Sequence, residues 1–175
     1  MKEGDKISGS GSLASKPAGT VLTFRDLARL MGKQSDNTAF GIVRKKLGEE
    51  LIQKTIEEIG MTKTDLGENT TSPSDTGLLL TKLYRGELVS TKHKNEIFGY
   101  LTDTVYEQWL AAGVPKEIKV AHKYGREIHV VNDGGVVLTT KPYVVVIMTK
   151  GVVEREADEI FPTLSKIIYD FEIKD

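Results

Sequence analysis

A chain of 175 residues, 39% hydrophobic and 28% charged, has the composition of one globular domain or part of one. A formal net charge of −1 gives no electrostatic reason to expect nucleic acid, and no apolar run approaches the roughly 20 residues that span a bilayer. Without cysteine there are no disulfides and no thiol chemistry, and the three histidines show neither metal-ligand spacing nor a carboxylate close in sequence, so no metal or other cofactor is expected and they read as surface or partly buried.

Residues 1–21 are rich in Gly, Ser and Lys and read as a loop, with Lys2 to Ser12 alternatively a linker or tag. The start, MKEGDKISGSGS, has no apolar core and is not a signal peptide. From Leu22 the pattern turns helical. Thr23 caps a helix with Asp26 three residues on, and Leu27, Leu30 and Met31 share a face. Ser35-Asp36-Asn37 interrupts it, and Ala39, Ile42, Val43 and Leu47 resume helical spacing. On these residues alone the interruption is a capped helix junction, with Ser35 or Asp36 as N-cap. Burying three polar side chains between two helices demands a hydrogen bond for each.

Glu49 to Ile59 predicts a third helix stopped by Gly60, and Ser72-Pro73-Ser74-Asp75 starts a fourth with Leu78, Leu79, Leu80 and Leu83 as its buried stripe. Thr91 to about Ala112 predicts a broken helix with Ile97, Phe98, Leu101, Val105, Trp109 and Leu110 inward; Trp109 suits the core better than a ligand platform. Three hairpin-ordered strands follow over 118–127, 128–139 and 143–148, with Asp133-Gly134-Gly135 supplying a turn or bulge. A last amphipathic helix puts Ala157, Ile160, Phe161, Leu164, Ile167, Ile168 and Phe171 on the sheet, with Pro162 expected to kink or restart it. The fold class is α+β: a helical cluster, then a three-stranded antiparallel sheet and a C-terminal helix.

The order Ser35-Asp36-Asn37, a helical second half, then Lys123-Tyr124-Gly125 on a strand resembles the penicillin-recognising serine hydrolases: class A β-lactamases and D-alanyl-D-alanine carboxypeptidase relatives. The stretches Gly9 to Leu13, Asn69 to Pro73, Leu83 to Leu88 and Asn132 to Gly135 support the resemblance, which runs from Gly11 to the C-terminus. It implies Ser35 and Lys123 as catalytic residues, Asn37, Tyr124, Gly125 and Arg126 as substrate-binding residues, and Asp36 as the structural residue of the turn. Ser35 would relay a proton to the leaving nitrogen with help from Lys123. Lys123 would also bind the substrate carboxylate, and the Arg126 N–H would be an oxyanion donor. The implied ligand is a β-lactam or a peptidoglycan stem-peptide-like molecule, and the implied location is extracytoplasmic.

The family's Ser-x-x-Lys nucleophile is missing, because no lysine here has a serine three positions before it. The chain thus looks like the C-terminal two-thirds of such an enzyme: a single domain over 22–175 without its N-terminal strands and nucleophile helix, inactive alone. Two further departures agree in pointing to the carboxypeptidase-like branch. The loop Met61 to Thr71 lacks the residues around the family's deacylating Glu, and Gly41 stands where β-lactamases have a bracing Asn. Tyr124 replaces the usual Thr or Ser and is expected to fill the carboxylate pocket. An exposed sheet edge is expected to recruit a complementing N-terminal fragment or a second copy. The competing reading is a non-catalytic binding or assembly module that keeps the scaffold.

Overall fold

A computed structural model of the chain describes residues 1–174. Helix α1, Phe24–Gln34, opens on a reciprocal capping box between Thr23 and Asp26. It closes at Ser35, whose φ of +53° lies in the left-handed region that few residues other than Gly adopt. Asp36 then caps α2, Asn37–Leu47, by accepting the Ala39 N–H at 2.8 Å. Helices α3, Glu49–Ile59, and α4, Pro73–Arg85, both end on left-handed glycines, Gly60 and Gly86. Ser72 caps α4, and α5 runs Thr91–Leu101.

Beyond Leu101 the expected helix gives way to irregular chain and a short 3₁₀ turn at Ala111–Gly113. Val105, expected inside, is 66% exposed, whereas Trp109 and Leu110 are fully buried. Thr104 explains the break. Its hydroxyl and N–H both bind Glu107, a local turn that competes with helix continuation.

Strands β1, Val120–Glu127, β2, Val130–Val137, and β3, Tyr143–Met148, pair antiparallel in sequence order. The hairpin turns at Ile128-His129, where His129 has φ +59°. Asp133-Gly134-Gly135 is therefore neither turn nor bulge: it lies inside β2, in unbroken register with Tyr124, Lys123 and His122. The two glycines serve close packing. A Cβ on Gly134 would sit 3.3 Å from Thr76 of α4, and one on Gly135 would sit 2.6 Å from the His122 Cβ.

Helix α6, Glu154–Glu172, continues through Pro162. It covers one face of the sheet with Ala157, Phe161 and Ser165, while the helical cluster, through α4 and α5, covers the other. Phe161 joins Trp109, Val131 and Ala157 in one apolar cluster; Leu110, Val114, Val120, Val137 and Val145 form a second. Ile160, Leu164, Ile167 and Phe171, expected against the sheet, instead form a solvent-facing stripe. The α+β layering of helices, sheet and closing helix is the expected one.

Candidate active site

The junction between α1 and α2 is built by the chain's first residues. Asp36 is 1% exposed, and its Oδ2 accepts the N–H groups of Ser12 and Leu13, each at 2.8 Å, while Oδ1 caps α2. Its neighbour Asn37 turns to the N-terminal loop: its Nδ2 donates to the Ser8 carbonyl at 3.0 Å and its N–H to the Ser10 carbonyl. That leaves the Asn37 side-chain oxygen as the group available to an N–H donor. Gly9 and Gly11 must be glycines, because both have positive φ and added Cβ atoms would lie 2.6 Å from Asn37 Nδ2 and 2.2 Å from Asp36 Oδ2. The loop Gly9 to Leu13 is thus shaped to the Ser-Asp-Asn turn.

Across the cleft, Lys123 of β1 donates from Nζ to Ser35 Oγ at 2.6 Å and to the Tyr124 carbonyl at 2.7 Å. The same ammonium lies 4.6 Å from the centre of the Tyr124 ring. Lys123 is exposed as a residue, while its ammonium is in contact with Ser35, the Tyr124 carbonyl and the Tyr124 ring. Desolvation pushes its pKa down to about 8, with the negative charge of Asp133 opposing. The cleft encloses about 200 Å³ and is lined by Met31, Ser35, Asp36, Asn37, Phe40 and Lys123. An apolar recess of about 240 Å³ adjoins it through Met31 and Lys123, bounded by Ala28, Gly32, Ile97, Tyr100 and Leu101.

Ser35, Asp36, Asn37 and Lys123 therefore converge. Tyr124, Gly125 and Arg126 follow on β1 away from this lining. The Tyr124 ring turns to the other face of the sheet and packs 5.0 Å from Tyr106 and 6.3 Å from Trp109, between ring centres. The Arg126 guanidinium lies 3.9 Å from Asp158 of α6.

Sequence reasoning missed one group altogether. His122 is fully buried, not superficial, and both its ring nitrogens face carboxylates: Asp133 at 2.8 Å and Glu107 at 3.1 Å. The two partners are distant in sequence, and only the β1–β2 register and the fold of the 102–110 segment bring them together.

Helices thus cover one face of the antiparallel sheet and a closing helix the other, and a polar helix junction meets a strand lysine at the cleft. The chain belongs to the β-lactamase enzyme family, whose profile matches residues 1–171. Among solved structures it is similar to PBP-A, with a TM-score of 0.92 and 27% identity, over 99% of this chain and 70% of that one. A mutant of PBP-A solved as an acyl-enzyme complex with penicillin G superposes with a TM-score of 0.90, again at 27% identity and covering 99% of this chain and 70% of that one. The β-lactamase of Sphaerobacter thermophilus DSM 20745 shares the fold at a TM-score of 0.89 and 24% identity, over 95% of this chain and 69% of that one. Comparison with curated protein sequences gives no match.

Proposed function

We propose that the cleft is the accessory half of an acyl-transfer site acting on β-lactams or D-alanyl-D-alanine peptide amides. The observation that carries this reading is the 2.6 Å contact between Lys123 Nζ and Ser35 Oγ, which joins the two family motifs in one site. In the proposed reaction a serine hydroxyl attacks the substrate carbonyl carbon and the C–N bond breaks. The hydroxyl proton passes through Ser35 to the leaving nitrogen. Lys123 orients the Ser35 hydroxyl and holds the substrate carboxylate by charge, Asn37 accepts the substrate amide N–H, and the Arg126 N–H steadies the oxyanion. Tyr124 and Gly125 shape the strand along which the substrate lies, and Asp36 holds the turn.

No lysine among the 175 residues follows a serine by three. We therefore read the domain over 22–175 as lacking the attacking group, inactive alone, and completed by another segment. The apolar recess beside Lys123 offers that segment a place to pack. Function outside the cytoplasm follows from the same reading. A binding or assembly module is the second reading, favoured by the missing nucleophile and by a Tyr where the family places a small hydroxyl.

Intact-mass spectrometry after incubation with benzylpenicillin separates these readings, using the chain alone and mixed with a segment carrying Ser-x-x-Lys. An adduct only in the mixture is expected. An adduct on this chain alone would transfer the nucleophile role to Ser35, and none in either sample would favour the binding module.

A further inference from the structure

The ammonium of Lys123 has three N–H donors, and oxygens take two of them: Ser35 Oγ at 2.6 Å and the Tyr124 carbonyl at 2.7 Å. The Tyr124 ring is the third neighbour, its centre 4.6 Å from Nζ. An aromatic face carries partial negative charge and attracts a cation that lies within about 6 Å of the ring centre. A second lysine–tyrosine pair, Lys94 over Tyr84, is looser, at 5.7 Å.

The ring is itself held in place. It packs 5.0 Å from Tyr106 and stands edge-on to Trp109 at 6.3 Å and 83°. Tyr106 meets Trp109 edge-on at 4.7 Å, and the fully buried Trp109 lies 5.3 Å from Phe161 of α6. Asp158 of α6 fixes both partners, accepting the Trp109 Nε1–H at 2.8 Å and the Tyr106 hydroxyl at 3.0 Å. A series of contacts thus runs from α6 through Trp109 and Tyr106 to Tyr124, and ends on the ammonium that touches Ser35. Each of these contacts of Tyr124 passes through its ring or its backbone, and none through its hydroxyl. The other titratable groups around Lys123 are Asp36 at the helix junction, Tyr100 of α5 and Asp133 of β2.

We propose that Tyr124 is a positioning residue: its ring face, braced by Tyr106 and Trp109, holds the Lys123 ammonium against Ser35. The residue that stands where the family has a small hydroxyl then acts on the lysine rather than on a substrate carboxylate. What the positioned ammonium is for rests on the acyl-transfer reading, but the test involves no β-lactam, so the two stand or fall separately.

The test reads Lys123 by NMR on the intact chain with labelled lysine. In the unsubstituted protein the ring current should displace the Lys123 ε-methylene protons upfield; ordinary lysine positions would overturn the proposal before any substitution. Tyr124→Phe keeps every contact named above and should leave the Nζ titration midpoint close to the parent's. Mono-, di- and trifluorophenylalanine at the same position then withdraw charge from the ring face while its shape stays nearly constant. With the burial of Nζ unchanged along the series, the midpoint should fall at each step, by on the order of half a pH unit in all. A ring that only fills space predicts no trend, and a flat or rising series in folded variants overturns the proposal. A missing penicillin adduct would instead remove the acyl-transfer reading and leave this series as expected.

Discussion

Asp36 shows how much one side chain can determine. Its carboxylate closes α2 and fixes the path of Ser12 and Leu13, so three backbone N–H groups depend on it. Leaving buried donors unsatisfied costs about 1 to 3 kcal/mol. Asp36→Ala is therefore expected to lower unfolding stability by about 3 kcal/mol in urea titration; a loss under about 1 kcal/mol would mean the loop does not lean on this residue. The role of Asp36 was legible because a polar residue between two apolar helical patterns needs bonding partners. The Ser35–Lys123 contact was legible only through the order of two motifs. His122 was not legible at all: Glu107 and Asp133 stand 15 and 11 residues away, and nothing in local spacing announces them.

Among the elements, those governed by short-range chemistry came out as the sequence suggested. α1 and α4 begin at their Ser or Thr caps, and α3 and α4 stop at glycine. β2 did not, because Asp133-Gly134-Gly135 reads locally as a turn while tertiary packing demands small residues mid-strand, under α4 and beside His122. α6 misled in another way. Its apolar residues cover more than one face, and periodicity alone does not say which face meets the sheet. Ser165 and Pro162 pack against the 3₁₀ turn at Gly113, which rotates Ile160, Leu164, Ile167 and Phe171 away to exposures of 38–66%. An apolar stripe of this kind favours association. Ile167→Glu is expected to leave the unfolding free energy within about 0.5 kcal/mol of the parent while reducing any self-association seen by sedimentation. A chain that sediments as a strict 19.3 kDa monomer before substitution would remove the stripe as an interface.

For the molecule as a whole, the buried charges set a pH window. His122 has a raised folded pKa, so its contribution is fully present below the ordinary value of 6.5 and is lost as pH rises toward about 9. Glu107 is depressed, so its contribution is present above 4.5 and is lost as pH falls toward about 2. Unfolding free energy should peak between about pH 4.5 and 6.5 and decline below that range and from 6.5 to about 8, above which Lys123, with its folded pKa lowered to about 8, opposes the His122 loss, measured by denaturant titration across pH. Stability that keeps rising from pH 6.5 to about 8 would contradict a raised His122 pKa.

The Lys123–Ser35 bond spans 88 residues and joins the helical half to the sheet half of the chain. Each half also has local structure of its own: α1 and α2 pack around their shared turn, and β1 and β2 pair around their hairpin. Bringing together positions so far apart costs loop-closure entropy, which the packing of α4 and α5 on the sheet offsets along with this bond. The cleft lies on the seam between the helices and the sheet, so its geometry reports how the two dock rather than how either is built.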